Sequence, residues 1–234
     1  MAMAQVSYAQ MHADEIIEKV DQVRSPGEDY TIEATVDSYS GGRAESRSAT
    51  YEVMVKGADN TIIKTILPNV ERGRVLLMRG HDLWGFFPDV SKPLRLSLQE
   101  RLLGDVSNGD IARVNFSGDY DSKVLRTEQI GDNDCYVLEL TANAPDVTYG
   151  KVILWAQVAD FHPIKAEFYA ISGKLLKRCS YEEYKMLGDA VRPTKLIMED
   201  PLIKGKRSII TYENIQIGEI PEKYFTKDYM KKLM

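Results

Sequence analysis

Reactive side chains are few in this sequence, and they are scattered. His12, His81 and His162 stand far apart, without the paired spacing of an H-E-x-x-H helix, so a metal site made from them would need the fold to gather them. His81 lies in a tight turn and His162 precedes Pro163, and both are expected to be exposed turn residues. Cys135 and Cys179 fall inside strand-like stretches and form no C-x-x-C. They fit either one disulfide in an oxidising compartment or two separate buried thiols. Asp119 and Asp121 flank Tyr120, and Asp132 and Asp134 flank Asn133. Opposed carboxylates are what glycoside hydrolysis requires, but GDND reads as a turn held by its own backbone hydrogen bonds. The first pair reads better as an anchor between a mid-chain insert and a sheet. There is no G-x-S-x-G, no Gly-rich phosphate loop and no dinucleotide fingerprint. The sequence nominates no nucleophile, so the expectation is a protein that is not an enzyme and has neither cofactor nor metal.

Composition narrows the classes further. The 234 residues are 44% hydrophobic and 28% charged, which is globular composition, and the net charge is −5. No basic stripe with interleaved aromatics is present, so nucleic acid is not an expected partner. No apolar run approaches the ~20 residues that span a bilayer. Residues 1–11, beginning MAMAQVSYAQ, are expected to be a tail left by a removed signal, since Ala2-Met3-Ala4 and Ser7-Tyr8-Ala9 have the small-x-small form of a cleavage site. A plain Ala-rich tail fits the same residues. Residues 12–234 are expected to form a single domain.

Periodicity gives the framework on which any site would be mounted. Ile16, Ile17, Val20 and Val23 make one apolar stripe on a helix over Ala13 to Arg24, with Asp14 and Glu15 in its first turn and Arg24 in its last. Alternating strands then follow one another through short turns, among them Gly41-Gly42 and Ser172-Gly173. The chain is organised around MRGHDLWGFFPDVSKPLRLSLQERLLG, residues 78–104, an aromatic hairpin that runs into an insert of about 93–118. Within it, Ser97 and Glu100 have capping-box spacing and predict a helix over SLQERLL; Asp110 is the expected cap of a second helix. About eleven long antiparallel strands should curl into an incomplete β-barrel, a mainly β fold with an N-terminal helix and a helical lid.

Strand parity sorts the large apolar residues. Trp84 and Phe86 share a face, opposite Leu83 and Phe87; Tyr136 pairs with Leu138, Ile153 with Trp155, and Phe168 stands between Glu167 and Tyr169. Periodicity alone leaves open whether such residues fill a core or line a cavity.

The ADEIIEKVDQVR helix, the RVLLMRGHDLWGFFPDVSKPLRLSLQERLLG block and the closing strands PIKAEFYAISGKLLKRCSYEEYKML, RPTKLIMED and KRSIITYENIQIG together resemble the outer membrane lipoprotein-sorting proteins, the periplasmic LolA-like group. The resemblance covers nearly the whole chain. It implies an incomplete barrel with an apolar inner face and a helical lid, a periplasmic location, and binding of a lipid or acylated lipoprotein without catalysis. An inner-membrane exporter would be a possible partner. Carried onto these residues, Trp84, Phe86, Tyr136, Leu138, Trp155 and Phe168 would line the concave face. Leu98, Leu102, Ile111 and Val114 would be the apolar side of the lid, and Ile16, Val20 and Val23 the contribution of the first helix. The alternative on the same fold is an envelope sensor or a module docking on a membrane exporter; a hydrolase using the scattered carboxylates is a third class.

Overall fold

The computed structural model describes residues 11–41, 46–113 and 115–234, apart from the side chain of Ser46. The expected N-terminal tail through residue 10, Gly42 of the first expected turn, and Val114 lie outside the described residues.

Helix α1 covers Ala13–Arg24 and buries Ile16, Ile17 and Val20, as its stripe predicts. Five strands follow: β1 (Tyr30–Ser40), β2 (Ser46–Lys56), β3 (Asn60–Leu67), β4 (Val75–Arg79) and β5 (Asp82–Phe86). The insert carries three short strands, β6 (Leu94–Leu96), β7 (Arg101–Leu103) and β8 (Val106–Ser107), and helix α2 (Asn108–Ala112). Seven long strands complete the sheet: β9 (Tyr120–Ile130), β10 (Asn133–Ala142), β11 (Lys151–Gln157), β12 (Pro163–Tyr169), β13 (Leu175–Leu187), β14 (Ala190–Glu199) and β15 (Lys206–Ile217). A one-turn helix, α3 (Lys227–Met230), lies near the end.

Among the described residues thirteen strands form one antiparallel sheet in the order β6-β5-β4-β3-β2-β1-β15-β14-β13-β12-β11-β10-β9, and β7 pairs only with β8. The short strands of the insert are the ones that periodicity did not find. Every neighbour pair is consecutive in sequence except β1 with β15, which join Tyr30 to Ile217 and Ser40 to Lys206. That one long-range pairing turns two meanders into a continuous trough. Register shifts at Thr31/Glu33, Thr50/Tyr51, Val137/Leu138 and Trp155/Ala156 bend it further, as bulges do.

Among the described residues the sheet does not close. Its edge strands are β6 and β9, and the two ends are bridged by the insert and by an ionic seam. Asp119, 3% exposed at its side chain, accepts from Arg113 Nε and Nη2, each at 2.6 Å, and lies 2.9 Å from His81 Nε2. The other ring nitrogen of His81 is 3.1 Å from Asp146, and Arg113 also reaches Asp59 at 2.7 Å. Asp119 therefore anchors the insert, as expected, but His81 is not a solvated turn residue: the curl of the sheet brings it against two carboxylates remote in sequence. His162 is likewise only partly exposed and stacks on Tyr184, their ring centroids 4.4 Å apart.

The segment SLQERLL is not a helix. Its opening turn forms, with Ser97 Oγ accepting from the Gln99 amide at 3.1 Å and the Glu100 carboxylate accepting from the Ser97 amide at 3.3 Å. Propagation then fails. The carbonyls of Leu98 and Glu100, which a helix would pair four residues on, accept instead from the amides of Gly109 and Asn108 at 2.9 and 2.8 Å. The chain proceeds into the β7–β8 hairpin through Gly104, whose φ of +58° and crowding against Ser38 and Ser208 leave no place for a side chain. Asp110 is also not the cap residue: Ser107 caps α2, and Asp110, three residues on, accepts from the Ser107 amide at 2.7 Å.

Candidate functional site

The concave side of the trough holds the larger of two apolar clusters. Strand alternation feeds it Tyr30, Ile32, Ala34 and Val36 from β1 and Leu138 and Leu140 from β10. Ile16 and Val20 of α1 enter from one end, and Leu98 and Ile111 of the insert cover the middle. Tyr136 and Leu102 pack at the margin of this cluster, and Phe168 lies within it, 4.5 Å from Tyr149 between ring centroids. Among the predicted site residues, Ile16, Val20, Leu98, Leu102, Ile111, Tyr136, Leu138 and Phe168 thus meet on one face.

Three others do not. Trp84 and Phe86 belong to a second cluster on the outer side of the sheet, with Met54, Ile62, Val75 and Leu77, and that cluster is covered by Ile220, Phe225 and Met230 near the end of the chain. Lys227 Nζ stands 3.8 Å from the Trp84 ring centroid. Leu83 and Trp84 lie on opposite faces, as parity predicts, but it is Leu83 that faces the trough. Trp155 also points outward, since Val152, Leu154 and Ala156 take the inner positions of β11. Its indole Nε1 donates to Glu128 and Lys165 Nζ lies 4.3 Å from its ring. The same alternation separates the two free thiols: Cys179 belongs to the inner cluster, while buried Cys135 has the parity opposite Leu138.

What the sequence did not reveal is that the inner face is also charged. Lys177, on the inward parity of β13 with Cys179 and Tyr181, is buried. Its ammonium donates to Asp110 Oδ2 at 2.8 Å, Ser107 Oγ at 3.2 Å and the Asp105 carbonyl. The other oxygen of Asp110 accepts from the Tyr149 hydroxyl. Burial pushes the Tyr149 phenol well up, and the Asp110 carboxylate pushes it the same way, so Tyr149 stays a donor. On the side toward α1, Arg24 pairs with Asp21 at 3.3 Å and lies 4.1 Å from the Phe116 ring centroid. Asp21 accepts from the Phe116 and Ser117 amides at 2.8–3.0 Å, tying the helix to the end of the insert. Arg192 donates to the carbonyls of Gln22 and Val23, satisfying the last turn of α1. The available signal was parity: a lysine or arginine on an inward strand position, or in the last turn beside an apolar stripe, is buried when the stripe is.

These polar contacts interrupt a line of voids. A depression of about 490 Å³ opens beside the β7–β8 hairpin, lined by Ser107, Thr148, Tyr149 and Lys177 among others. Thr148 and Tyr149 also wall a void of about 30 Å³ that reaches Arg24, Asp110 and Tyr181. The last three in turn wall a void of about 40 Å³ extending to Tyr30 and Tyr212. Each inner void has room for about one water molecule, whose share of liquid volume is ~30 Å³. The trough is closed by its insert and by α1, with Asp110, Tyr149 and Tyr181 between compartments. Among the described residues no group of three or more His, Cys, Asp or Glu side chains is placed to hold a metal ion.

A family model described only as an uncharacterized protein matches residues 57–232. The crystal structure of a LolA superfamily protein from Nitrosomonas europaea superposes with a TM-score of 0.89 at 45% identity, covering 94% of this chain and 99% of that one. The chain belongs to the LolA superfamily. Two more distant structures share the superfamily fold. A DUF1329 family protein from Desulfovibrio piger aligns at TM-score 0.80 and 21% identity, covering 93% of this chain and 97% of that one. A domain described as an outer membrane lipoprotein-sorting protein from Vibrio parahaemolyticus aligns at 0.79 and 20%, covering 94% and 98%. No curated protein matches the sequence. The family assignment agrees with the curved, unclosed antiparallel sheet and its N-terminal helix. Among the described residues no helix is long and apolar enough to cross a membrane.

Proposed function

We propose that this LolA superfamily member is a periplasmic carrier that shelters the acyl chains of a lipid or acylated lipoprotein between the curved sheet and the insert, acting by binding and not by catalysis. The observation that carries the reading is the line of voids along an otherwise apolar trough, with shared walls from the open depression to the last turn of α1. The 45% identity to a LolA superfamily protein supports it, and the lipoprotein-sorting description of the Vibrio parahaemolyticus domain suggests the same class of cargo. In this reading Leu98, Leu102 and Ile111 leave the trough as the insert lifts, and the acyl chain takes their place against Tyr136, Leu138, Phe168, Ile16 and Val20.

The energies allow such an exchange. Burying a tail of about fourteen methylenes is worth ~11 kcal/mol at ~0.8 kcal/mol each. Against this, exposing the buried side chains of Leu98 and Ile111 costs about 1.5–3 kcal/mol each, and opening a buried ion pair such as Lys177–Asp110 costs roughly 3–5 kcal/mol if one partner is left behind, and less if both reach water or a ligand. Native mass spectrometry of the protein after incubation with a diacylated lipopeptide tests the proposal. A one-to-one adduct that releases the acylated species on extraction is expected. A protein that stays at its unliganded mass with excess lipopeptide and with phospholipid overturns the carrier reading.

A further inference from the structure

The carrier reading does not say where cargo enters or what part of it is recognised. Exposed aliphatic side chains stand on the rim of the 490 Å³ depression. Ile171 in the β12–β13 turn is 74% exposed, and Leu202 in the β14–β15 turn is 75% exposed. Both line the depression, as does Leu176 at 40%. Single exposed aliphatic residues are ordinary, but three around one concavity form a patch that water wets poorly. The antiparallel order puts the β12–β13 and β14–β15 turns at the same end of the trough, away from the β11–β12 turn where Lys19 of α1 lies 5.4 Å from the Phe161 ring centroid.

The second observation is polar. Asp105, at the tip of the β7–β8 hairpin, also lines the depression, and its side chain is 9% exposed. Its Oδ1 pairs with Lys206 Nζ at 2.7 Å, and its amide donates to Ser208 Oγ at 2.9 Å. Its Oδ2 is buried and has no hydrogen-bond partner among the described residues. A carboxylate oxygen withdrawn from water without a donor is unfavourable, and a ligand O–H or N–H placed there would relieve it. The depression as a whole carries both signs, since Arg101, Lys174 and Lys177 line it beside Asp105 and Asp200.

Resting on the carrier reading, we propose that this depression is the port by which an acyl chain enters the trough, and that it retains a head group bearing a hydroxyl or amide N–H, which donates to Asp105 Oδ2. Ile171, Leu176 and Leu202 meet the chain first. Its tail then passes Tyr149 toward the inner voids, while its head stays beside the hairpin.

The test uses a pyrene-labelled monoacylglycerol and the pyrene-labelled fatty acid methyl ester of equal chain length. On the unmodified protein the monoacylglycerol, which has hydroxyl donors, is expected to bind at least tenfold more tightly than the ester, which has none. That ratio should fall toward one in Asp105→Asn. The double variant Ile171→Asp/Leu202→Asp changes only exposed residues and should keep its melting temperature, but associate with the monoacylglycerol at least tenfold more slowly. Unchanged association in the rim variant, with the unmodified protein binding normally, overturns the port and leaves the carrier reading standing. Equal affinity for the two probes on the unmodified protein overturns the head-group assignment. No binding of either probe by the unmodified protein removes the carrier reading and the port with it.

Discussion

Replacing Lys177 by Met tests whether the charged centre of the trough is a true latch. The ammonium and the Asp110 carboxylate are 2.8 Å apart, with side chains only 7% and 3% exposed. Met preserves most of the side-chain volume and removes the cation. Asp110 keeps its bonds from the Ser107 amide and the Tyr149 hydroxyl but loses its counter-charge, and Ser107 Oγ and the Asp105 carbonyl each lose a donor. Removing one member of a buried pair costs about 3–5 kcal/mol, because the remaining charge stays out of water. For a chain of this size about 2–4 °C of melting temperature accompanies each kcal/mol, so a fall of roughly 6–20 °C is expected. The double variant Lys177→Met/Asp110→Asn leaves no unpaired charge and should be more stable than the sum of the single losses by roughly 0.5–3 kcal/mol. Urea unfolding of the four proteins measures the cycle. A loss below about 1 kcal/mol in Lys177→Met, with additive behaviour in the double variant, is what an exposed pair would give and would refute the latch.

Two further perturbations separate the trough from the outer face. Phe86→Ala removes a ring only 4% exposed from the outer cluster and should cost about 3–5 kcal/mol, loosening the Phe225 and Met230 segment while leaving acyl-probe binding intact in the folded protein. Probe binding lost at unchanged fold would mean that the outer face is the binding face. Asp29 fastens the same C-terminal segment: its carboxylate accepts from Lys56 Nζ at 2.8 Å and from the amides of Ile220 and Gly57 at 3.1 and 3.2 Å. Burial acts to raise its pKa, but the Lys56 ammonium and the two amides outweigh burial and hold the carboxyl below its usual range. The sign comes from linkage: this contribution is complete above about pH 3.9, the unfolded value, and is lost as pH falls through the lower folded value. Limited proteolysis should therefore cut the C-terminal segment of Asp29→Asn already at pH 7, and that of the unmodified protein only in acid. Equal cleavage of both proteins at pH 7 would show that Asp29 is not the fastening.

Much of this architecture is legible in the chain because strands and helices repeat their chemistry at fixed periods. The stripe of Ile16, Ile17 and Val20 places α1 on the sheet, and β1 shows its alternation directly. The family resemblance rests on the same block that builds β4, β5 and the insert, and the 45% identity to a LolA superfamily protein agrees with it. The signals that failed were local ones with two solutions. Ser97 and Glu100 make the same reciprocal bonds in an isolated turn as at a helix start. The path of the next residues depends on whether the carbonyls of Leu98 and Glu100 find partners along the chain or across it.

Which residues share a face, the succession of paired strands and the amphipathic helix are readable in the chain, because they arise from covalent geometry and near neighbours. Which face is inside depends on long-range packing. Both sides of β4 and β5 are buried, one by the insert and the other by the C-terminal segment, so apolar character could not distinguish Leu83 from Trp84. The β1–β15 pairing, the approach of His81 to Asp119, and the gathering of Lys177, Asp110 and Tyr149 likewise join residues far apart in the chain. Such contacts form only after long loops have closed, at an entropic cost that grows slowly with loop length. Their energy comes from burial shared across the whole trough, and no local pattern of residues encodes it.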